Sequence, residues 1–501
     1  MTMSVPTAAA NAIATESTFD DVQAAVAAAV AAVSVLAQVS PAERAGWLDA
    51  IAAAVEHHAD ELAAVADTET GLGRVRLDGE VLRCAAQLRF YADVCAEGSW
   101  LGVTIDHATH TGPDLRRMNV SLGPVAVFGA SNFPFAFGTL GNDTASALAA
   151  GAPVIVKGHP AHPQTHAALM ELACAALDAA GGPAGTLSAI TGLDAGRQLV
   201  LAEGIGAVAF TGSEVAGMTL HRLAATRQQP IPVYAEMGTV NAVVVTTDGA
   251  DAGDDLARGC VNSFTLGLGQ FCTKPGLVLV PAGSGVDVAI ANHLTAEPPS
   301  GVMLTPGIHE AYDHGIGALL AAGAVPVAQT RATDPLGPNA WVLKADPVLL
   351  QPGSRLLAEC FGPVILVVEY ANRYQRDQLI ANLPGGLVAT IMSGGKGDEE
   401  VPELVSALAP GVGRVTVDTW PTGVVTTWAQ QHGGPWPATT DPRATSVGAF
   451  ALDRFTRPVV FQSTPNAALP TAVQRGNPWN IVRRVNGRIK VPHEVARCQV
   501  P

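Results

Sequence analysis

The chain has 501 residues, more than the roughly 250–300 at which one hydrophobic core stops growing, so at least two lobes are expected. Apolar residues make up 48% and charged residues 15%, with 52 glycines and 35 prolines, a balance that argues against disorder and for a compact enzyme with many tight turns. A formal charge of −15 with only 29 Lys plus Arg argues against a nucleic-acid partner, which would need a concentrated basic surface.

In chain order, the first feature is the uncharged stretch Ala24 to Ala37, preceded by Asp20 and Asp21. It is too short to cross a bilayer and lacks the basic flank of a signal peptide, so no membrane partner and a cytoplasmic location are expected. From Asp20 to Gly98 the apolar spacing is helical, and Ser40-Pro41-Ala42-Glu43 supplies an N-cap, a first-turn proline and a capping-box glutamate. Residues His107 to Ser121 and the tail Pro478 to Pro501 are richer in Arg and Lys and alternate apolar with polar, which predicts strands outside the main sheets, at a subunit contact.

Short apolar runs bounded by Gly or Pro then alternate with helical stretches: Pro124 to Phe128, Pro153 to Val156, Gly206 to Phe210, Asn241 to Val245, Gly276 to Val280 and Pro363 to Val368. Buried parallel strands read this way. The helix Pro163 to Ala180, stopped by Gly181-Gly182, completes the strand-helix-strand alternation of an α/β fold with open, doubly wound sheets. Seven scattered cysteines without metal-ligand spacing predict reduced thiols and no metal site.

The segment Gly267-Leu268-Gly269-Gln270-Phe271-Cys272 places glycines ahead of a thiol, which lets a second molecule approach it. Most cysteines are merely small buried hydrophobes. A cysteine nucleophile also needs an oxyanion donor and a base for water. Asn132 follows the strand ending at Phe128, where open sheets bind ligands, and its amide suits the first role. Glu236 lies between apolar stretches, where desolvation is expected to make it a stronger base. Thr211, Gly212 and Ser213 close a strand before a helix, a place where free amides and hydroxyls hold a pyrophosphate. No G-x-G-x-x-G fingerprint follows the early strands, which disfavours a standard dinucleotide dehydrogenase.

Taken in order, Ser131-Asn132-Phe133-Pro134, Val156-Lys157, Phe210-Thr211-Gly212-Ser213, Glu236-Met237-Gly238, Gly269-Gln270-Phe271-Cys272 and Glu359-Cys360-Phe361-Gly362-Pro363 resemble the aldehyde dehydrogenase superfamily from about Ser40 onward. The resemblance implies an α/β fold with two open sheet domains and a small oligomerisation extension. Residues 1–106 and 122–235 would bind the cofactor, 236–465 would form the catalytic domain, and 107–121 with 478–501 would supply the oligomerisation strands of a homodimer or homotetramer. It also implies Cys272 as nucleophile, Asn132 as oxyanion donor and Glu236 as base for deacylation. Lys157, Thr211, Gly212, Ser213, Glu359 and Phe361 would contact the cofactor. The reaction implied is attack of the Cys272 thiolate on a small-molecule aldehyde, hydride transfer to a nicotinamide, and hydrolysis of the thioester. A site with dipoles that favour the thiolate is expected.

Lys157-Gly158-His159-Pro160, Gln431-His432-Gly433-Gly434-Pro435 and Thr445-Ser446-Val447-Gly448 extend the resemblance to the branch that oxidises 2,5-dioxopentanoate, which also includes a fatty aldehyde dehydrogenase. NAD-preferring members place a glutamate three residues after the ribose-binding lysine. Here Pro160 stands there, so NADP is expected as cofactor, with NAD admitted, and His159 or Arg197 near its extra phosphate. Glu236-Met237-Gly238-Thr239-Val240 departs from the Gly-Lys ending common in the family. A substrate carboxylate would need an arginine, for which Arg116, Arg117 and Arg443 are nominated. The rivals are oxidation of aliphatic aldehydes, a catalytically inert scaffold, and a cofactor-free thiol hydrolase. The last needs a histidine base, and none lies close to Cys272 in sequence.

Overall fold

The computed structural model describes residues 16–492. The first 15 residues of the expected cofactor domain, the end of the tail and Cys498 lie outside the described residues. The helical opening is present as Phe19–Leu36, Pro41–His57, Ala59–Thr70 and Arg74–Glu97. Ser40 and Glu43 form the expected reciprocal cap: the Ser40 amide donates to Glu43 Oε2 at 2.9 Å and the Glu43 amide to Ser40 Oγ at 3.2 Å. Phe19–Leu36 is long and apolar enough to cross a membrane by length and composition. Its buried side chains Val22, Val26 and Ala29 share one helical face and pack with Ala126, Phe128 and Ile155 of the first sheet.

That first sheet has five parallel strands in the spatial order Leu187–Ile190, Val154–Lys157, Val125–Phe128, Ala207–Gly212, Val233–Met237. Its middle strands are apolar on both faces because helices cover both, so no alternation is seen in sequence. The chain builds outward in one direction from Val125–Phe128, then crosses to Ala207–Gly212 on its other side. A crevice therefore opens beyond the carboxyl ends of these two neighbours, the general ligand site of open α/β sheets.

The second sheet has seven strands in the order Val325–Gln329, Trp341–Lys344, Val364–Tyr370, Leu277–Pro281, Ala242–Val245, Gly386–Met392, Val412–Val417, all parallel except the antiparallel first pair. The third sheet has five strands, ordered Thr456–Gln462, Leu115–Ser121, Thr104–Asp106, Arg483–Val485, Arg488–Lys490. Two of them, Thr104–Asp106 and Thr456–Gln462, come from stretches assigned by sequence to the cofactor and catalytic domains. The boundary expected at residue 236 falls inside the strand Val233–Met237.

From 418 to 448 the chain forms neither helix nor strand. A run of this length inside a compact protein is usually functional. It laces the second sheet to the edge of the first: the Met237 amide donates to the Ala438 carbonyl at 2.8 Å, and Glu236 forms an isolated bridge with Thr439.

Candidate active site

Cys272 follows the helix Gly253–Thr265 through a left-handed stretch, with φ of 56° at Gly267, 57° at Leu268 and 68° at Gly269. A Cβ on Gly269 would collide with the carbonyl oxygen of Gly362, so glycine there lets the Cys272 loop lie directly against the loop carrying Glu359 and Phe361. Asn241, at the start of the strand Ala242–Val245, fixes the other side. Its Nδ2 donates to the carbonyls of Cys272 at 2.7 Å and Lys274 at 3.1 Å, and its Oδ1 accepts from Thr239 Oγ1 at 2.9 Å.

The fold places one histidine beside the thiol: His432 Nε2 lies 3.5 Å from Cys272 Sγ and 3.2 Å from Glu236 Oε2. His432 and Glu236 are buried, and the three donor atoms lie within 4.8 Å of one another. Both contacts use the same ring nitrogen. Nε2 can therefore receive the thiol proton and, once protonated, donate to Glu236. Ser446 Oγ also donates to Glu236 Oε2, at 2.8 Å.

Two electrostatic expectations are corrected here. Burial does push the Glu236 carboxyl up, but His432 in the form that carries a proton on Nε2, together with Ser446 and Arg454, outweighs it and holds the group below its ordinary value. For Cys272, burial and the negative charges of Glu236 and Glu359 push the thiol well above its ordinary value, against the weaker pull of its own backbone and Arg83. The resting site holds a thiol, and a base must take its proton.

Asn132 is buried, and its Nδ2 donates to the Gln270 carbonyl at 2.8 Å, two residues before Cys272. An amide has two N–H groups, so a second donor remains for an oxygen near the sulfur. The helix Arg74–Glu97 sets this loop: Glu80 Oε1 accepts from the Phe135 and Ala136 amides at 2.9 and 3.1 Å, and Arg76 Nη2 donates to the Asn132 carbonyl.

Lys157, Thr211, Gly212 and Ser213 stand at the carboxyl ends of first-sheet strands, and Glu359 and Phe361 on the loop before the strand Val364–Tyr370. Lys157 ends the strand Val154–Lys157 and is buried. Thr211 Oγ1 is turned inward to Asp143 Oδ2 at 3.3 Å, while Ser213 Oγ accepts from the Ala216 amide at 3.3 Å and caps Glu214–Ala225. The start of that helix, directly after the strand end at Gly212, is the kind of place where free backbone amides seat a pyrophosphate. Glu359 rests on Gly238, where a Cβ would meet its carboxylate, and Phe361 beside it is partly exposed. Burial, and the charges of Glu236 and Glu214, raise the Glu359 carboxyl to about 7 although Lys274 pulls it down. These residues fit a nicotinamide dinucleotide.

An apolar cluster borders the site: Phe133, Phe137, Val424 and Val447, with Phe271, the neighbour of Cys272, packed against it and Phe137 edge-on to His432. The arginines nominated for a substrate carboxylate stand elsewhere. Arg116 is committed to Asp114 and the Val473 carbonyl, Arg117 reaches the Gly102 carbonyl, and Arg443 is 89% exposed on Asp441. His432 lies 160 residues from Cys272, so only its Gln-His-Gly-Gly-Pro setting could have drawn notice in the sequence. Asn241 carried no signal beyond its place before a strand.

The family model of the aldehyde dehydrogenase family matches residues 6–436. The chain is 42% identical over 463 residues to alpha-ketoglutaric semialdehyde dehydrogenase 2 of Azospirillum brasilense, covering 89% of this chain and 87% of that protein. It is 39% identical over 490 residues to the alpha-ketoglutaric semialdehyde dehydrogenase of Acinetobacter baylyi, covering 94% and 92%. In fold it is similar to a crystal structure of aldehyde dehydrogenase from Brucella melitensis biovar abortus 2308, with TM-score 0.75 and 22% identity over 90% of each chain. It is also similar to the bifunctional proline utilization A protein, with TM-score 0.77 and 23% identity, where it matches 89% of this chain but spans only 45% of that longer one. The chain belongs to the aldehyde dehydrogenase family and is an oxidoreductase acting on aldehydes.

Proposed function

We propose that this enzyme oxidises 2,5-dioxopentanoate to 2-oxoglutarate with NADP, NAD serving less well, through a thioester on Cys272. The observation that carries the chemistry is the convergence of Cys272, His432, Glu236 and the Asn132 amide. The substrate rests on the names of the two relatives at 42% and 39% identity.

The thiol is a weak nucleophile until its proton leaves. His432 Nε2, 3.5 Å away, takes that proton, and Glu236 3.2 Å beyond stabilises the imidazolium. As the sulfur bonds to the aldehyde carbon, the carbonyl oxygen gains charge, and the free N–H of Asn132 donates to it. The bound nicotinamide supplies the hydride acceptor. Glu236 then orients water against the Cys272 thioester and takes its proton; the acid is released as the C–S bond breaks, and the departing Cys272 sulfur recovers the proton held on His432. The apolar cluster around Phe133 and Phe137 keeps bulk water from the site.

Lys157 and Glu359 would hold the two riboses, and the start of Glu214–Ala225 the pyrophosphate. Pro160 stands where a carboxylate would repel a 2′-phosphate, although the charge of Glu16 also reaches Lys157. Burial, His162 and Lys157 lower His159 to about 3, so it is neutral, and its Nδ1 accepts from the Ala161 amide at 3.1 Å. Its Nε2–H is then a donor. We place the enzyme in the cytoplasm as a homodimer or homotetramer.

The apolar cluster favours a second reading, oxidation of medium-chain aldehydes. Absorbance of reduced nicotinamide decides between them. Signal with 2,5-dioxopentanoate and NADP that vanishes in Cys272→Ala is expected; signal only with an aliphatic aldehyde would transfer the substrate to the second reading.

A further inference from the structure

We infer that Arg83, with Arg76 beside it, forms the subsite that receives the distal carboxylate of the aldehyde. This rests on the oxo-acid reading above for the identity of the substrate, and on separate geometry for the subsite itself. Both arginines stand on the helix Arg74–Glu97, seven positions and thus two turns apart, so both project from one face. The Arg76 guanidinium lies 4.8 Å from the centre of the Phe133 ring and 5.1 Å from that of Phe271. The Arg83 guanidinium lies 5.6 Å from Phe133 and 5.5 Å from Phe137. Phe137 in turn packs edge-on against His432, with centres 6.1 Å apart. The two cations therefore form the far wall of the aromatic cluster whose near wall is the Cys272–His432 pair, and Arg83 is close enough for its charge to act on the thiol.

Their donors are largely unspent. Arg83 gives Nη2 to the Val424 carbonyl at 2.7 Å. Arg76 gives Nη2 to the Asn132 carbonyl, while its Nε and Nη1 are buried without a hydrogen-bond partner. One carboxylate, Glu80, sits among them, 3.9 Å from Arg76 Nε, and it already accepts two backbone amides. Two guanidiniums against one carboxylate leave a positive surplus in partly desolvated surroundings, which a bound anion neutralises. Arg414 also faces Cys272, but it spends three hydrogen bonds on the carbonyls of Pro421 and Gly423. A five-carbon chain spans about 5–6 Å from aldehyde carbon to carboxylate at ordinary bond lengths.

The test compares wild type, Arg83→Met and Arg83→Lys with 2,5-dioxopentanoate and with hexanal, and measures glutarate as a competitive inhibitor of hexanal oxidation. In R83M, kcat/KM for the oxo acid should fall about 10- to 100-fold further than for hexanal, the scale of a lost charge-assisted hydrogen-bond pair. The inhibition constant of glutarate should rise by a similar factor, and R83K should recover part of both. Equal losses with both substrates and an unchanged glutarate constant would overturn the subsite. Arg83-dependent inhibition by glutarate in an enzyme that does not oxidise 2,5-dioxopentanoate would uphold the carboxylate subsite while removing the substrate reading. If R83M does not fold, the comparison is read on R83K, which keeps the charge but not the planar fork.

Discussion

The thiol of Cys272 is raised by burial and by two nearby carboxylates, yet it has to ionise for the chemistry to begin. His432 resolves this by standing between sulfur and Glu236. Alkylation of Cys272 by iodoacetamide in the cofactor-free protein should therefore speed up with rising pH, because the reactive thiolate is the minor form at neutrality. In His432→Gln the acceptor is gone and the Glu236 charge faces the thiol directly, so alkylation at pH 7.5 should slow by about 10-fold or more. An unchanged rate would remove His432 from the ionisation step. Glu359 offers a second titration. Its carboxyl is raised to about 7, and it is the charged form that accepts from ribose hydroxyls, so cofactor affinity should be full above 7 and decline as pH falls through it. Lys274→Met removes the positive charge that pulls Glu359 down, so the decline should move to higher pH. In Glu359→Gln the dependence should disappear, as read by quenching of protein fluorescence on cofactor binding.

Residues of this kind differed in how readily the sequence revealed them. Cys272 sits in a local setting of glycines, and Asn132 follows a strand end, so both announce themselves within ten residues. His432 becomes functional only because the irregular run 418–448 crosses from one sheet to the other, a long-range fact with no periodicity to betray it. The same contrast holds for elements. Central strands such as Val125–Phe128 and Leu277–Pro281 are continuous apolar runs and were legible to within a residue or two. Val325–Gln329 is an exposed edge strand and Val412–Val417 carries Gly413 and Arg414 with only intermediate burial, so neither presents an apolar run. The turn that aims Cys272 depends on Asn241, whose amide holds two carbonyls of that loop and whose φ of 45° suits asparagine. Asn241→Ala should leave those buried acceptors unpaired and cost about 1–3 kcal/mol of stability. It should also reduce kcat more than cofactor binding, because the displaced group is the sulfur. A thermal shift without loss of kcat would restrict Asn241 to stability.

At the scale of the whole molecule, the third sheet is the part without an obvious use inside one chain. It gathers strands from residues 104–121, 456–462 and 483–490, so the chain returns to it twice. Both edge strands, Thr456–Gln462 and Arg488–Lys490, leave a row of backbone donors and acceptors unpaired among the described residues. Apolar side chains stand exposed along them, Val460 at 54% and Ile489 at 60%. An open edge with exposed apolar residues is a template for another chain, and proteins that must stay monomeric blunt such edges. Here Arg457, Arg488 and Lys490 supply charge without covering the ladder, and on a chain of net charge −15 they favour contact with the acidic surface of a second copy. Light scattering of the purified enzyme should give a mass of at least two chains. Val460→Asp combined with Ile489→Asp should shift it toward one chain at low micromolar concentration. Because Cys272, His432, Glu236 and Asn132 all meet within one protomer, each monomer should still be alkylated at Cys272 at the wild-type rate. A double variant that keeps its mass would mean that subunits join through another face; one that becomes monomeric and loses Cys272 reactivity would mean that the assembly holds the site in shape.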